Sequence, residues 1–171
     1  LTGRIACRDA ETIPVDAIIR GCFQSAGYSK QWGPAPEDLK IQTDLCLGPL
    51  SDSESDYRRF SDDQSIVTGY AIDSPETNYL PPEHWLVWRL SRRLRALRES
   101  QPNLRLGPDG KVALVWNAAS NTVENVSVSL QQAIGADEIA LHRAVRHAVA
   151  EECAPPEAIH VNGAGNFEVG G

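Results

Sequence analysis

Apolar residues return along this chain at two spacings, and the change from one to the other predicts its elements. Val15, Ile18, Ile19, Cys22, Phe23 and Ala26 fall at i, i+3, i+4, i+7, i+8 and i+11, the stripe of an amphipathic helix. Thr12 is placed to cap that helix, Pro14 stands in its first turn, where the missing N–H does no harm, and Gly27 closes it. Leu86, Leu90, Leu94 and Leu97 form a second stripe and predict a helix over 83–99, whose start, HWLVWRL, also reads as strand. Leu141, Val145, Val149 and Cys153, flanked by Ala144 and Ala148, predict a third over 136–153, with Asp137 and Glu138 at its positive dipole end. Between these, Leu39, Ile41, Thr43, Leu45 and Leu47 alternate with Lys40, Gln42, Asp44 and Cys46, which is strand periodicity. Further strands are predicted over 3–7, 64–72 and 159–169. The segments 111–118 and 123–130 read as a hairpin through 119–122, and 107–110 (GPDG) reads as a turn before it.

Helices interleaved with hairpins predict an α+β fold: a mainly antiparallel sheet with about three helices packed on it. The whole of 1–171 reads as a single domain, and the Ser/Asp-rich stretch 48–63 as a mobile acidic loop. A chain of 171 residues can bury a core without metals or cross-links. With 42% hydrophobic residues it is not disordered as a whole, and no apolar run approaches the ~18 residues of a membrane span. Sixteen Lys+Arg against 23 Asp+Glu give a formal charge of -7, which argues against a chain devoted to coating nucleic acid.

The cysteines and the chain start suggest a compartment. The sequence begins at Leu1 and contains no Met, as expected either of a chain whose secretory signal has been removed or of one simply trimmed at its start. Four cysteines, Cys7, Cys22, Cys46 and Cys153, permit two disulfides, and none has the spacing of a zinc site. We expect Cys7 to pair with Cys22 or Cys153, and Cys46 with one of those remaining. Four buried thiols acting as small hydrophobes are the alternative. Asn125-Val126-Ser127 is a formal glycosylation triplet, a pattern that also arises by chance.

Candidate chemistry is concentrated on the second helix. Arg89, Arg92, Arg93, Arg95 and Arg98 place five of thirteen arginines in ten residues. Arg92 and Arg95 fall opposite the leucine stripe, while Arg89 and Arg93 lie nearer to it and must snorkel outward. Such a face suits phosphate or an acidic partner, and Trp85 and Trp88, just before it, could stack on bases. The competing reading is a solvated face neutralised by Asp52, Glu54, Asp56, Asp62 and Asp63, with the tryptophans in the core. His84 is the candidate acid or base beside these arginines, yet His84, His142, His147 and His160 are scattered and form no evident catalytic pair. No GxSxG, HExxH, GxxxxGK[ST] or GxGxxG is present, so no catalytic residue, metal or cofactor is assigned.

Two stretches carry family resemblances. The segment IACRDAETIPVDAIIRGC, with the hairpin KVALVWNAASNTVENVSVSL, resembles secreted fungal effectors related to guanyl-specific ribonucleases. The Tyr-x-His, Glu and Thr-His signatures of the active enzymes are not recognisable here. ADEIALHRAVRHAVAEEC followed by VNGAGNFEV resembles killer-toxin-like and necrosis-type fungal effectors. Both resemblances imply a secreted, disulfide-stapled α+β protein. The expected function is therefore a non-catalytic effector or toxin-like protein acting on a protein partner. A ribonuclease-like or RNA-binding protein using the 89–98 face is the first alternative, and an intracellular accessory protein with reduced thiols the second.

Overall fold

The computed structural model describes residues 2–6, 10–48, 66 and 68–170. The predicted acidic loop lies outside these residues apart from Gly48. Strands β1 (Thr2–Ala6) and β2 (Asp44–Gly48) pair in parallel, with Thr2 opposite Asp44 and Ala6 opposite Gly48. Helix α1 (Val15–Ala26) connects them. Its end follows the sequence: Gly27 adopts φ 101°, and the N–H groups of Gly27 and Tyr28 return to the carbonyls of Gln24 and Phe23. Its start does not. Thr12 ends a separate 3-10 turn (Ala10–Thr12), and Pro14 occupies the cap position without a side-chain hydrogen bond.

The strand expected from Leu39 is formed only from Asp44. Arg20 of α1 donates to the backbone carbonyls of Pro36, Glu37 and Leu39, which ties the start of that segment to the helix. The strand expected over 64–72 is irregular at residues 66 and 68–72. There the chain turns back through a 3-10 turn (Pro75–Thr77), and the Ile72 N–H donates to the Tyr79 carbonyl.

Helix α2 (Pro82–Ser100) follows, then β3 (Leu106–Asn117), β4 (Thr122–Gln132), α3 (Glu138–Ala150) and β5 (Ala158–Val161). The sheet order is β3-β4-β5, with β3 antiparallel and β5 parallel to β4. The sheet is therefore mixed rather than mainly antiparallel, because α3 forms a crossover that returns the chain in the same direction. GPDG is not a turn: it lies inside β3, where the register slips between Leu106 and Gly110. Gly107 is required there, since a Cβ would stand 2.3 Å from Gln131 Oε1 and 2.7 Å from Trp32 Cε3. The last strand is shorter than its pattern. Asn162 (φ 46°) and Gly165 (φ 104°) bend the chain away, and the tail is held at the end of β4 by Gln132 N–H donating to Phe167 O.

The leucine and alanine stripes behave as their spacing requires. Leu86, Leu90, Leu94 and Leu97 of α2 and Leu141, Val145 and Val149 of α3 pack with Val126, Val128, Leu130 and Val161 of the sheet. An extra residue at Glu124, where the register shifts between Val115/Asn125 and Trp116/Val123, keeps Val123 and Val126 both on the buried face. The opposite face carries exposed Lys111, Ala113, Val115, Ser127 and His160. Helix α1 buries none of its residues, so its apolar stripe stays outside this core.

The staples are not formed. Cys22 and Cys153 are free thiols, which removes the pairings expected for them. Cys22 is exposed on α1 and Cys153 follows the end of α3, so the elements that carry them do not bring them together. Cys7 and the Cys46 side chain lie outside the description.

Candidate functional site: the arginine ridge and the cleft beside it

Helix α2 separates its arginines into two sets. Arg92 lies over the indole of Trp88, 4.9 Å from the ring centre, and Trp88 stacks on Trp85 at 4.8 Å with planes 15° apart. This ladder runs along the outer side of the helix, with Trp88 45% exposed. Arg89 and Arg93 instead turn toward the end of α3. Arg93 Nε donates to Glu152 Oε1 (2.5 Å) and its Nη1 to Glu151 Oε2 (2.7 Å). Arg89 Nη2 stands 2.7 Å from Glu152 Oε2. The hydrogen bond to Glu152 above all, opposed by burial, holds the Arg93 guanidinium above its ordinary pKa. The charges expected to neutralise this face were those of the acidic loop. The partners observed are Glu151 and Glu152, 58 to 63 residues farther along the chain than the arginines they meet.

The remaining predicted residues do not converge. His84 is 72% exposed on the first turn of α2, with Nδ1 3.9 Å from Glu83. His160 is exposed on the open face of the sheet. Arg95 and Arg98 border a 140 Å³ notch beside Pro108 and Asp109, and Arg98 donates to the Ala26 carbonyl at the end of α1. Among the described residues no three His, Cys, Asp or Glu side chains gather to hold a metal, and no helix is long and apolar enough to cross a membrane.

A larger cavity, 470 Å³, opens between α2, the β3–β4 hairpin and the segment after α3. Trp85, Leu86 and Arg89 line one side, Trp116, Asn117 and Val123 the hairpin side, and Glu152, Cys153 and Pro155 the floor. Asn117 donates to Glu124 Oε1 (2.8 Å), bracing the hairpin wall. Glu152 is 4% exposed, and although Oε2 is ion-paired it accepts no hydrogen bond. Burial, followed by the Glu152 charge, pushes the Cys153 thiol up, and its Sγ donates to the Val149 carbonyl (3.6 Å). Glu152 and Trp116 escaped the sequence reading. One signal was present: paired glutamates at a helix C-terminus oppose the dipole, which implies cations from elsewhere.

Residues 59–167 match the family described as S-adenosylmethionine synthetase, central domain. The chain belongs to that family. The S-adenosylmethionine synthase of Corynebacterium kroppenstedtii is 32% identical over 202 aligned residues, covering 100% of this chain and 50% of that one. That of Brachyspira hyodysenteriae is 29% identical over 143 residues, covering 78% and 36%. A solved structure of an unusual S-adenosylmethionine synthetase from Campylobacter jejuni has the same fold, with a TM-score of 0.71 at 17% identity over 98% of this chain and 47% of that one. The chain thus spans half or less of the length of these relatives.

This membership overturns the effector reading, and with it the toxin-like and ribonuclease-like functions and the expectation of secretion. The stretches that suggested effectors are a strand–helix pair and a hairpin, elements that many α+β proteins share. The staples that supported secretion are absent at Cys22 and Cys153. Of the three functions weighed, the accessory protein agrees best with the family.

Proposed function

We propose that the chain is a partner-dependent member of the S-adenosylmethionine synthetase family, contributing the central-domain fold to an assembly that makes S-adenosylmethionine. The family match over residues 59–167 carries this reading. Two uncovered surfaces support it. One is the open sheet face, with Ala113, Ser127 and a half-exposed Val115; the other is the stripe of α1, where Ile18 is 51% exposed. Residues 1–171 act in this reading as one domain whose open faces pack against other protein. The Arg92–Trp88 ladder is part of the outer surface. The free thiols fit a reducing compartment.

The test measures S-adenosylmethionine formed from methionine and an adenosyl donor, by the purified chain alone and with the synthase of the same cell. Little or no product from the chain alone, and altered output from the mixture, is expected. Rapid turnover by the chain as a monomer, or no effect on the synthase and no association with it, would reject the proposal.

A further inference from the structure

We infer that the 140 Å³ notch between α2 and the first half of β3 is a binding site for a small aliphatic monocarboxylate. One rim is a bulge: Gly107, Pro108 and Asp109 stand opposite the single Gln131 of β4, where the register slips between Leu106 and Gly110. The other rim is α2, from which Ser91, Arg95 and Arg98 border the space. The floor is apolar, made by Leu94, Val112 and Leu130. A cavity of similar size, about 150 Å³, holds a benzene molecule, so the notch suits a ligand of about six or seven non-hydrogen atoms.

The observation that points to an anion is the contrast between two arginine pairs on one helix. Guanidinium groups three or four residues apart on a helix repel each other. Arg89 and Arg93 are relieved by Glu151 and Glu152. Arg95 and Arg98 share the notch, and neither forms an ion pair among the described residues. Arg98 donates there only through Nη1, to the Ala26 carbonyl (3.0 Å). That bond, and the close approach of Gly27, where a Cβ would stand 2.9 Å from Nη1, hold Arg98 in place before any ligand arrives. Arg95 is exposed and Arg98 half-buried at the opening, so a ligand reaches both. Asp109 on the facing rim limits the charge of the guest: two cations against one carboxylate suit a monoanion and disfavour a dianion. The apolar floor favours a guest with an aliphatic chain over a bare inorganic ion. The notch lies on the helix side of the sheet, away from the open face that supports the assembly reading, so the two stand or fall separately.

The probe is isovalerate, with isovaleramide, isopentylamine, acetate and sulfate for comparison. Calorimetry measures affinity. Methyl NMR of Leu94, Val112 and Leu130 locates the ligand, with Val149 and Ile159, which border neither rim nor floor, as controls. Isovalerate is expected to bind saturably and to move the notch methyls alone. Isovaleramide, which lacks the charge, and acetate, which lacks the chain, should each bind at least about tenfold more weakly. Arg95→Gln should weaken isovalerate by about tenfold or more. Ser91→Asp sets a carboxylate one turn before Arg95 and should abolish binding by occupying the guanidinium groups, while Ser91→Asn should keep it; a change that merely disturbed the fold would affect both. Sulfate or the amine binding as well as isovalerate, full affinity in Ser91→Asp, or no saturation at tens of millimolar isovalerate would overturn the inference.

Discussion

Single side chains show which local signals held. Asp16 and Arg20 on α1 form an i,i+4 pair, and Arg20 also reaches the carbonyls of the segment before β2. The hydrogen bond from Arg20 holds the Asp16 carboxyl below its ordinary 3.8, against a smaller effect of burial. A depressed folded-state pKa stabilises above the unfolded value and loses that contribution as pH falls through the folded one. Asp16→Asn should therefore destabilise modestly at neutral pH, and the difference from wild type should close in strong acid. Urea midpoints measured across that range would show it; a constant gap would contradict it. The thiols give a second prediction. Cys22, exposed on α1, should be alkylated rapidly in the native protein, and Cys153 slowly, because burial and the neighbouring Glu152 keep its thiolate scarce. Timed labelling read by peptide mass spectrometry tests both. Finding Cys22 and Cys153 in one disulfide-linked peptide would oppose the fold as described.

At the level of elements, the two long apolar stripes of α2 and α3 were legible because each element's periodicity was long enough to distinguish helix from strand. The N-terminus of α3 was legible too. Asp137 accepts the Ala140 N–H at 2.9 Å, capping the helix that crosses from β4 to β5. Asp137→Ala should cost about 1 kcal/mol of stability, as seen by thermal or urea unfolding, and Asp137→Ser should restore most of it. Shorter elements were misread for identifiable reasons. The alternation over 39–47 continued through residues that Arg20 claims for α1, so only its second half found a strand partner. Pro108 and Gly110 signalled a turn, but Gly107 lets Trp32 and Gln131 press against the backbone, and β3 runs through with a slip in register. The final glycine-bearing strand ended early because Asn162 and Gly165 take positive φ.

The whole molecule presents a core on one side and uncovered surfaces on the other. Helices α2 and α3 cover one face of the β3-β4-β5 sheet, while Ala113, Val115 and Ser127 face away from them. If a partner covers that face, Ala113→Arg should lower the mass of the assembly in light scattering while leaving circular dichroism and the unfolding midpoint near wild type. An assembly of unchanged mass would place the contact elsewhere. Ala113 tests this without altering the core, because its neighbours Val112 and Leu114 alone point toward the helices.

The sequence by itself determined the α+β class, the three helices, the hairpin and the leucine side of α2, all consequences of apolar spacing along single elements. It also placed Arg92 and Trp88 on one helical face, since i and i+4 positions meet wherever the helix is packed. Only the tertiary structure decided which charges those arginines meet. Glu151 and Glu152 reach Arg89 and Arg93 because α3 packs beside α2, a contact that no local pattern contains. The same packing buries Glu152, opens the cleft between Trp85 and Trp116, and makes β5 parallel to β4. It leaves Cys22 and Cys153 as free thiols. An even cysteine count permits pairing, but only the positions of the elements that carry the cysteines bring two sulfurs within bonding distance.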